Sequence, residues 1–220
     1  MFVNQNSPLK LAILGSGKGS NARALIEASR QAQLHYEVVL LITDIPNAGI
    51  LTLGEEFQIP ASYFNSGPFK TKFALEREQE LATLLHKANI DFIALAGFMR
   101  VIKKPLLAGF PKRILNIHPS LLPHFPGLKA WQQAIDAGAS ESGCTVHLVD
   151  HGIDTGEILG QTRVPIFRND TAETLHVRIQ EAEHSLYPHI TDTFAKNLLQ
   201  KKETISNPNY TVENSDCRIH

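Results

Sequence analysis

The stretch "LAILGSGKGSNARALIEA", residues 11–28, combines the features that decide the fold. It begins with a strand-sized apolar run, continues through a glycine-rich turn at 15–20, and ends in a segment with the apolar spacing of a helix. A buried strand that leads through such a turn into a helix is the unit from which parallel sheets covered by helices are built. The stretch therefore predicts an α/β fold.

The same alternation of strand and helix recurs along the chain. Four apolar runs, the first of which is the strand of this unit, are typical of buried strands: "KLAIL" (10–14), "EVVLLIT" (37–43), "DFIALAG" (91–97) and "RILNI" (113–117). Segments 20–33 and 70–89 have helical periodicity. We expect a single Rossmann-like domain over 9–200, with a mostly parallel twisted sheet and helices on both faces, a frayed tail over 1–8 and a disordered tail over 201–220.

The C-terminal third of this domain departs from the parallel pattern. "GCTVHLVD" (143–150) and "EILGQTRVPIF" (157–167) are joined by a link too short for a crossover helix, which predicts an antiparallel pair. Residues 171–200 then predict a closing helix, with Thr171 as its N-cap and Glu173 in its first turn.

Composition excludes several classes of protein. The 220 residues carry a net charge of −1, which argues against a surface built for nucleic acid or membranes. The two cysteines are far apart and form no CxxC pair, so we expect a cytoplasmic protein without a disulfide framework or a metal site. The apolar runs are strand-sized and much shorter than a membrane-spanning helix requires.

The glycine-rich turn at 15–20 is a candidate anion site, since backbone N–H groups at a helix N-terminus attract phosphate. A P-loop does not fit, because Ala12 and Gly19 stand at two of its required positions. The dinucleotide fingerprint is incomplete, because Ser20 stands at the position of its third glycine. Asp44 could nevertheless serve as the ribose-binding acid. Phosphate binding is favoured, while dinucleotide binding and a turn that binds nothing stay open.

Two further loops follow predicted strands. "GFMRVIKKP" (97–105) offers apolar side chains and the charge of Arg100 beside a ligand, or else packs into the core. Asn116 and His118 lie two residues apart, so both point to one face at the end of their strand. Asp150 and Asp154 lie in a Gly-flanked loop that we expect at the same edge, where either could orient the imidazole or merely shape a turn.

Five motifs occur in one order over about residues 9 to 195: "SGKGSN", "LAGFMR", "LNIHPSLLP", "GCTVHLVDHGIDTG" and "EAEHSLYP". Together they resemble the formyltransferases that use 10-formyltetrahydrofolate, and most closely those that formylate glycinamide ribonucleotide in purine biosynthesis. The resemblance implies 10-formyltetrahydrofolate as cosubstrate, two small-molecule substrates, no metal, no nucleic-acid or membrane partner, and a possible homodimer.

The resemblance also implies roles for individual residues. Its catalytic set is Asn116, His118 and Asp154. The acceptor phosphate is expected on Gly19, Ser20 and Asn21, and the rest of the acceptor on Met99, Pro119 and Glu183. The folate is expected on Lys72, Met99, Arg100, Val101, Ile102, Asn116 and Asp150.

The chemistry of the catalytic set fits this assignment. Asn116 and a protonated His118 can donate hydrogen bonds to the oxyanion that forms when an amine attacks a formyl carbon. Asp154 is expected to raise the pKa of His118 while its own pKa falls. One departure from many relatives is Lys18, which stands where they carry a neutral Asn.

Three other classes of protein carry part of this pattern. Methionyl-tRNA formyltransferase shares the same catalytic set but has a further C-terminal domain. Formyltetrahydrofolate deformylase has a further N-terminal domain. We expect neither domain here. A dehydrogenase or sensor that binds a nucleotide through the glycine turn and Asp44 would belong to a different class.

Overall fold

The computed structural model describes residues 7–31 and 34–206, with side chains to 202. Of the tails expected over 1–8 and 201–220, residues 1–6 and 207–220 lie outside the described residues. The strands are β1 (Leu9–Leu14), β2 (Tyr36–Thr43), β3 (Ala61–Tyr63), β4 (Phe92–Leu95), β5 (Ile114–His118), β6 (Glu141–Leu148) and β7 (Ile158–Pro165). The helices are α1 (Ser20–Arg30), α2 (Ile50–Phe57), α3 (Leu75–Lys87), α4 (Lys104–Gly109), α5 (Ala130–Asp136) and α6 (Ala172–Ser206).

The strands form one sheet in the order β3-β2-β1-β4-β5-β6-β7. Neighbours from β3 to β5 are parallel, and β6 is antiparallel to both β5 and β7. The predicted Rossmann-like fold with a mostly parallel sheet is confirmed, and so is the antiparallel pairing of the last two strands.

Alternation along the strands divides the core into two layers. On β1, Leu11 and Ile13 pack with α1 and α6, whereas Ala12 and Leu14 pack with α3 and α4. On β5, Leu115 and Ile117 belong to the first layer and Ile114 to the second. Asn116 and His118 therefore face the second side of the sheet, beyond the last apolar residue of that layer.

The structure differs from the sequence predictions at several elements. Strand β3 and helices α2, α4 and α5 were not predicted, because each is a short segment whose position depends on neighbours along the sheet. The third helix begins at Leu75 instead of 70.

The last helix begins as predicted and ends later. The hydroxyl of Thr171 accepts a hydrogen bond from the N–H of Thr174 at 3.3 Å, and Glu173 lies in the first turn, which confirms the predicted start. The helix continues to Ser206, so residues 201–206 are helical where a disordered tail was expected from 201. "KKETIS" contains good helix formers, and Lys202 Nζ lies 2.6 Å from Asp91 Oδ1.

Candidate active site

The turn between β1 and α1 is shaped for an anion. Gly19 is the N-cap of α1 with φ of 86°, and a Cβ atom there would lie 2.9 Å from Leu53 Cδ1 and 3.2 Å from Ile50 Cα. Only glycine fits both the left-handed backbone and the close approach of α2. The free N–H groups of the first helical turn, from Ser20 and Asn21, therefore lie at the carboxyl end of the sheet.

Asn21 links this turn to the last helix. Its Nδ2 atom donates a hydrogen bond of 2.7 Å to Oε2 of Glu183, and its buried Oδ1 has no partner among the described residues. Burial raises the pKa of Glu183 to about 7, and the Asn21 hydrogen bond partly offsets that rise. The two predicted acceptor residues are thus in contact across α1 and α6.

Asp44 occupies a different position from the one that the dinucleotide alternative requires. It is 5% exposed and accepts hydrogen bonds from Ser16 Oγ at 2.5 Å and Arg100 Nε at 2.6 Å. The Arg100 guanidinium also donates to the carbonyl oxygens of Phe69 and Lys72. The carboxylate is therefore already engaged by the protein, which leaves it no ribose-binding role in this conformation.

The same contacts correct the expectation for Arg100, whose charge was to face a ligand. Its side chain is 10% exposed and pairs with Asp44, so the loop offers a ligand its backbone and not this charge. Ile102 is likewise 3% exposed and packs in the core, and Phe98 stacks on Phe73. Met99 is 59% exposed, and its N–H donates to Ser16 Oγ at 2.9 Å.

Lys72 lies beside this loop. Residues Lys72 and Val101 form a parallel bridge, and the ammonium of Lys72 lies 4.6 Å from the centre of the Phe69 ring. Pro119, another predicted contact, directly follows β5 and is partly exposed.

The polar centre of the site lies on one face of β5 and β6. Asn116 is paired with His147, and His118 with Thr145, so these four side chains share the second face of the sheet. The segment 119–127 contacts them through the Phe125 carbonyl, and the loop 149–157 contacts them through Asp154.

The loop that carries Asp154 reaches this face from the opposite edge. The sequence predicted this loop at the edge of the sheet where β5 ends. Because β6 is antiparallel to β5, its last residue, Leu148, pairs with Leu115 near the start of β5. The loop therefore leaves the far end of β6 and folds back over the sheet. Asp154, with φ of 55°, lies 3.3 Å from Nδ1 of His118 and accepts a 2.8 Å hydrogen bond from the N–H of Gly127.

Asp150 has a different environment in the same loop. Its Oδ1 atom accepts hydrogen bonds from the N–H of Gly152 at 2.9 Å and from Thr155 Oγ1 at 2.8 Å, and the residue is exposed. Within the described residues it makes no contact with the His118 imidazole, whereas Asp154 does. The geometry thus agrees with the choice of Asp154 as the partner of His118.

His118 is 5% exposed, and both of its ring nitrogens face protein atoms. Nε2 lies 2.9 Å from the carbonyl oxygen of Phe125, which can only accept, so this nitrogen carries a proton. Burial lowers the pKa of His118 below its ordinary 6.5, and the Phe125 carbonyl and Asp154 only partly oppose this. The raised pKa that the sequence predicted is therefore wrong, because desolvation of the charged ring outweighs the nearby carboxylate.

For Asp154 the predicted direction is confirmed. Burial by itself raises the pKa of this carboxyl, but His147, the Gly127 amide and the charge of His118 together hold it below the ordinary 3.8. The carboxylate is therefore ionised at neutral pH and ready to stabilise a positive charge on His118.

His147 is a residue of the site that sequence reasoning missed. Its Nδ1 lies 2.8 Å from the Leu148 carbonyl, so Nε2 is free to accept from Asn116 Nδ2 at 3.1 Å. Nε2 also lies 3.6 Å from Asp154 Oδ1, a contact that stabilises the carboxylate only when the His147 ring is protonated. The strand register alone could have revealed it, since an antiparallel β6 places His147 opposite Asn116.

Two features are absent from the part of the chain that the structure describes. None of the helices is both long and apolar enough to cross a membrane. No group of three or more His, Cys, Asp and Glu side chains in 7–31 and 34–206 is arranged to hold a metal ion, and the expectation of a metal-free reaction stays a prediction.

The glycine turn, the Asn116–His118–Asp154 cluster and their order in the chain agree with one family. The formyl transferase family model matches residues 9–191, so the chain belongs to the formyl transferase family. Phosphoribosylglycinamide formyltransferase of Bacillus subtilis is 40% identical over 181 residues, which cover 82% of this chain and 92% of that protein.

Two other matches extend this comparison. The crystal structure of glycinamide ribonucleotide transformylase 1 from Symbiobacterium toebii has a TM-score of 0.84 at 36% identity, covering 90% of this chain and 92% of that one. The trifunctional purine biosynthetic protein adenosine-3 of Drosophila pseudoobscura pseudoobscura is 43% identical over 196 residues, 87% of this chain. The chain spans 14% of the length of that larger protein.

Proposed function

We propose that the protein transfers the formyl group of 10-formyltetrahydrofolate to the amine of glycinamide ribonucleotide, a step of purine biosynthesis. The observation that carries the proposal is the contact of Asp154 with His118 beside Asn116, on a sheet whose edge also holds the glycine turn. The relatives that the chain covers almost completely are named for the same reaction.

The acceptor fits between the glycine turn and the polar centre. Leu14, Leu95 and Asn116 lie at one level on β1, β4 and β5, so the turn and Asn116 are separated by two strand spacings, roughly 10 Å. A ribose phosphate spans this distance, with its phosphate on the N–H groups of 19–21. Glu183, in contact with Asn21, then holds the amine end.

The folate lies on the other side of the reacting centre. Exposed Met99, the backbone of 100–102 and the loop 149–157 offer it an apolar surface with polar backbone groups. Lys72 beside Val101 and the exposed carboxylate of Asp150 supply the charges that we assign to this substrate.

The lowered pKa of His118 defines its part in the reaction. The acceptor amine attacks the formyl carbon, and the second N–H of the Asn116 amide donates to the oxyanion. Neutral His118 removes the proton from the attacking nitrogen, and Asp154 stabilises the imidazolium that forms. The imidazolium gives this proton to N10 of the folate as the C–N10 bond breaks, which restores the neutral ring.

The contact with Phe125 adds a condition. The carbonyl of Phe125 accepts the hydrogen bond from Nε2–H of His118, and the Asp154 carboxylate faces Nδ1. One ring nitrogen must turn to the substrate, so segment 119–127 releases the imidazole when substrates bind.

The test is a steady-state assay with 10-formyltetrahydrofolate and glycinamide ribonucleotide, monitored by the formation of formylated product. Methionyl-tRNA and water serve as competing acceptors. Two variants of one loop give the matched comparison: Asp154→Asn should lower kcat by about 100- to 1000-fold, and Asp150→Asn should raise the KM for the folate at nearly unchanged kcat. Absence of product with glycinamide ribonucleotide would refute the proposed function.

A further inference from the structure

The side chain of Tyr187 connects the last helix, α6, to the neighbouring strands β4 and β5. The side chain is completely buried, and its hydroxyl lies 3.1 Å from the carbonyl oxygen of Leu95 and 3.2 Å from that of Leu115. A buried hydroxyl without a partner costs free energy, so this bond fixes where α6 sits on β4 and β5.

Both carbonyl groups belong to residues next to the reacting centre. Leu95 leads directly into the 96–102 loop, and Leu115 precedes Asn116. On the helix, Glu183 lies one turn before Tyr187, and residues at this spacing share one side of a helix. One hydroxyl thus connects the helix that carries Glu183 to the strands that carry the formyl chemistry.

The helix needs such an anchor at this point. Pro188 follows Tyr187 inside α6 and has no N–H, so the carbonyl of His184 receives no helical hydrogen bond from it. The missing hydrogen bond spans residues 184–188, the turn that directly follows Glu183. Glu183 is itself buried, with a single hydrogen bond to Asn21 in the described residues.

We infer that Tyr187 is a positioning residue for the acceptor: its hydroxyl sets the height of Glu183 over the acceptor site. The inference rests on the proposed function and deepens it. Tyr187 does not touch the substrate and acts through the carboxylate one turn away. Its removal should therefore affect the use of the acceptor and spare the use of the folate.

The experiment measures steady-state kinetics of Tyr187→Phe with each substrate varied in turn. We expect the KM for glycinamide ribonucleotide to rise on the order of tenfold, since a misplacement of about 1 Å can cost up to 100-fold. The KM for the folate and kcat should stay near wild type.

Tyr36→Phe is the matched control. The Tyr36 hydroxyl is also buried in the same core layer and donates to a backbone carbonyl, but to that of Leu25 on α1 at 3.1 Å and not to β4 or β5. Both variants lose a buried hydroxyl and should melt at lower temperature, but only Tyr187→Phe should change the acceptor KM. Equal kinetics for the two variants would overturn the inference.

Coupling to Glu183 gives a second readout. Because Tyr187 acts through Glu183, the double variant Tyr187→Phe/Glu183→Gln should have the acceptor KM of Glu183→Gln alone, whereas additive losses would show separate effects.

If Tyr187→Phe does not fold, the same comparison is made in a Pro188→Ala background, where the ladder is complete. A smaller but measurable rise in KM over Pro188→Ala supports the inference, and none overturns it. A wild-type protein inactive on glycinamide ribonucleotide would instead reject the proposed function.

Discussion

The amide nitrogen of Asn116 lies 3.1 Å from Nε2 of His147 on the neighbouring antiparallel strand. Because Nδ1 of His147 is bound to the Leu148 carbonyl, Nε2 acts as the acceptor and fixes which way the amide group points. One N–H of Asn116 is used in this contact, and the other is left for the oxyanion.

We therefore predict that His147→Phe lowers kcat by about 10- to 100-fold, since Asn116 loses the partner that orients it. Both KM values should change little. In an Asn116→Ala background the same substitution should have no further effect, because the amide it orients is already absent. His86→Ala, which removes an exposed imidazole at a distance from the site, is the control. An unchanged kcat in His147→Phe would contradict this role.

The environment of His118 makes a prediction about titration. Burial lowers its pKa below 6.5, and Asp154 acts against that shift. In NMR titrations of the free protein, the His118 ring should titrate below pH 6.5, and at still lower pH in Asp154→Asn, because the carboxylate that favours the charged ring is gone. A rise of the His118 pKa in that variant would break the proposed coupling.

Asp44 and Arg100 should matter for stability. Their side chains are 3% and 10% exposed, and removal of one partner leaves the other charge buried. Asp44→Asn should lower the free energy of unfolding by about 3–5 kcal/mol, measured by denaturant titration. Glu56→Gln breaks the exposed pair with Arg23 and should change stability little. Similar losses for both variants would mean that burial is not the cause.

We predict that the buried carboxylate of Glu183, which we assign to acceptor binding, lowers the free energy of unfolding at neutral pH. Its pKa is 4.5 when unfolded and about 7 when folded, so the fold loses stability as pH rises from 4.5 through 7. The loss at pH 8 is on the order of 3 kcal/mol. Glu183→Gln should therefore raise Tm at pH 8 and leave it nearly unchanged at pH 4, while the acceptor KM rises. Equal Tm shifts at both pH values would argue against a buried carboxylate.

The sequence predicted the elements with long apolar runs and missed those that depend on neighbours. β1, β2, β4 and β5 were evident because parallel strands buried on both faces are almost entirely apolar. β3 has three residues, Ala61–Tyr63, without an apolar run, and forms only where it pairs with the end of β2.

In the candidate site, the shared face of Asn116 and His118 was easier to predict than the environment of each side chain. The spacing of Asn116 and His118 gave their shared face, but not the desolvation that lowers the pKa of His118. Arg100 appeared to be free for a ligand because its partner Asp44 is far away in the chain and meets it only after folding. The loop of Asp154 was placed at the wrong edge, since its path depends on the reversed direction of β6.

The division of the core into two layers has an evolutionary consequence. Glu183, Asn21 and the glycine turn belong to α1 and α6, whereas Asn116, His118, His147 and Asp154 belong to β5, β6 and the loop after it. Under the proposed assignment, substitutions in the two helices can alter how the acceptor is held while Asn116, His118 and Asp154 stay in place. The same scaffold can then give rise to enzymes for other amines, with most changes outside the formyl-transferring residues.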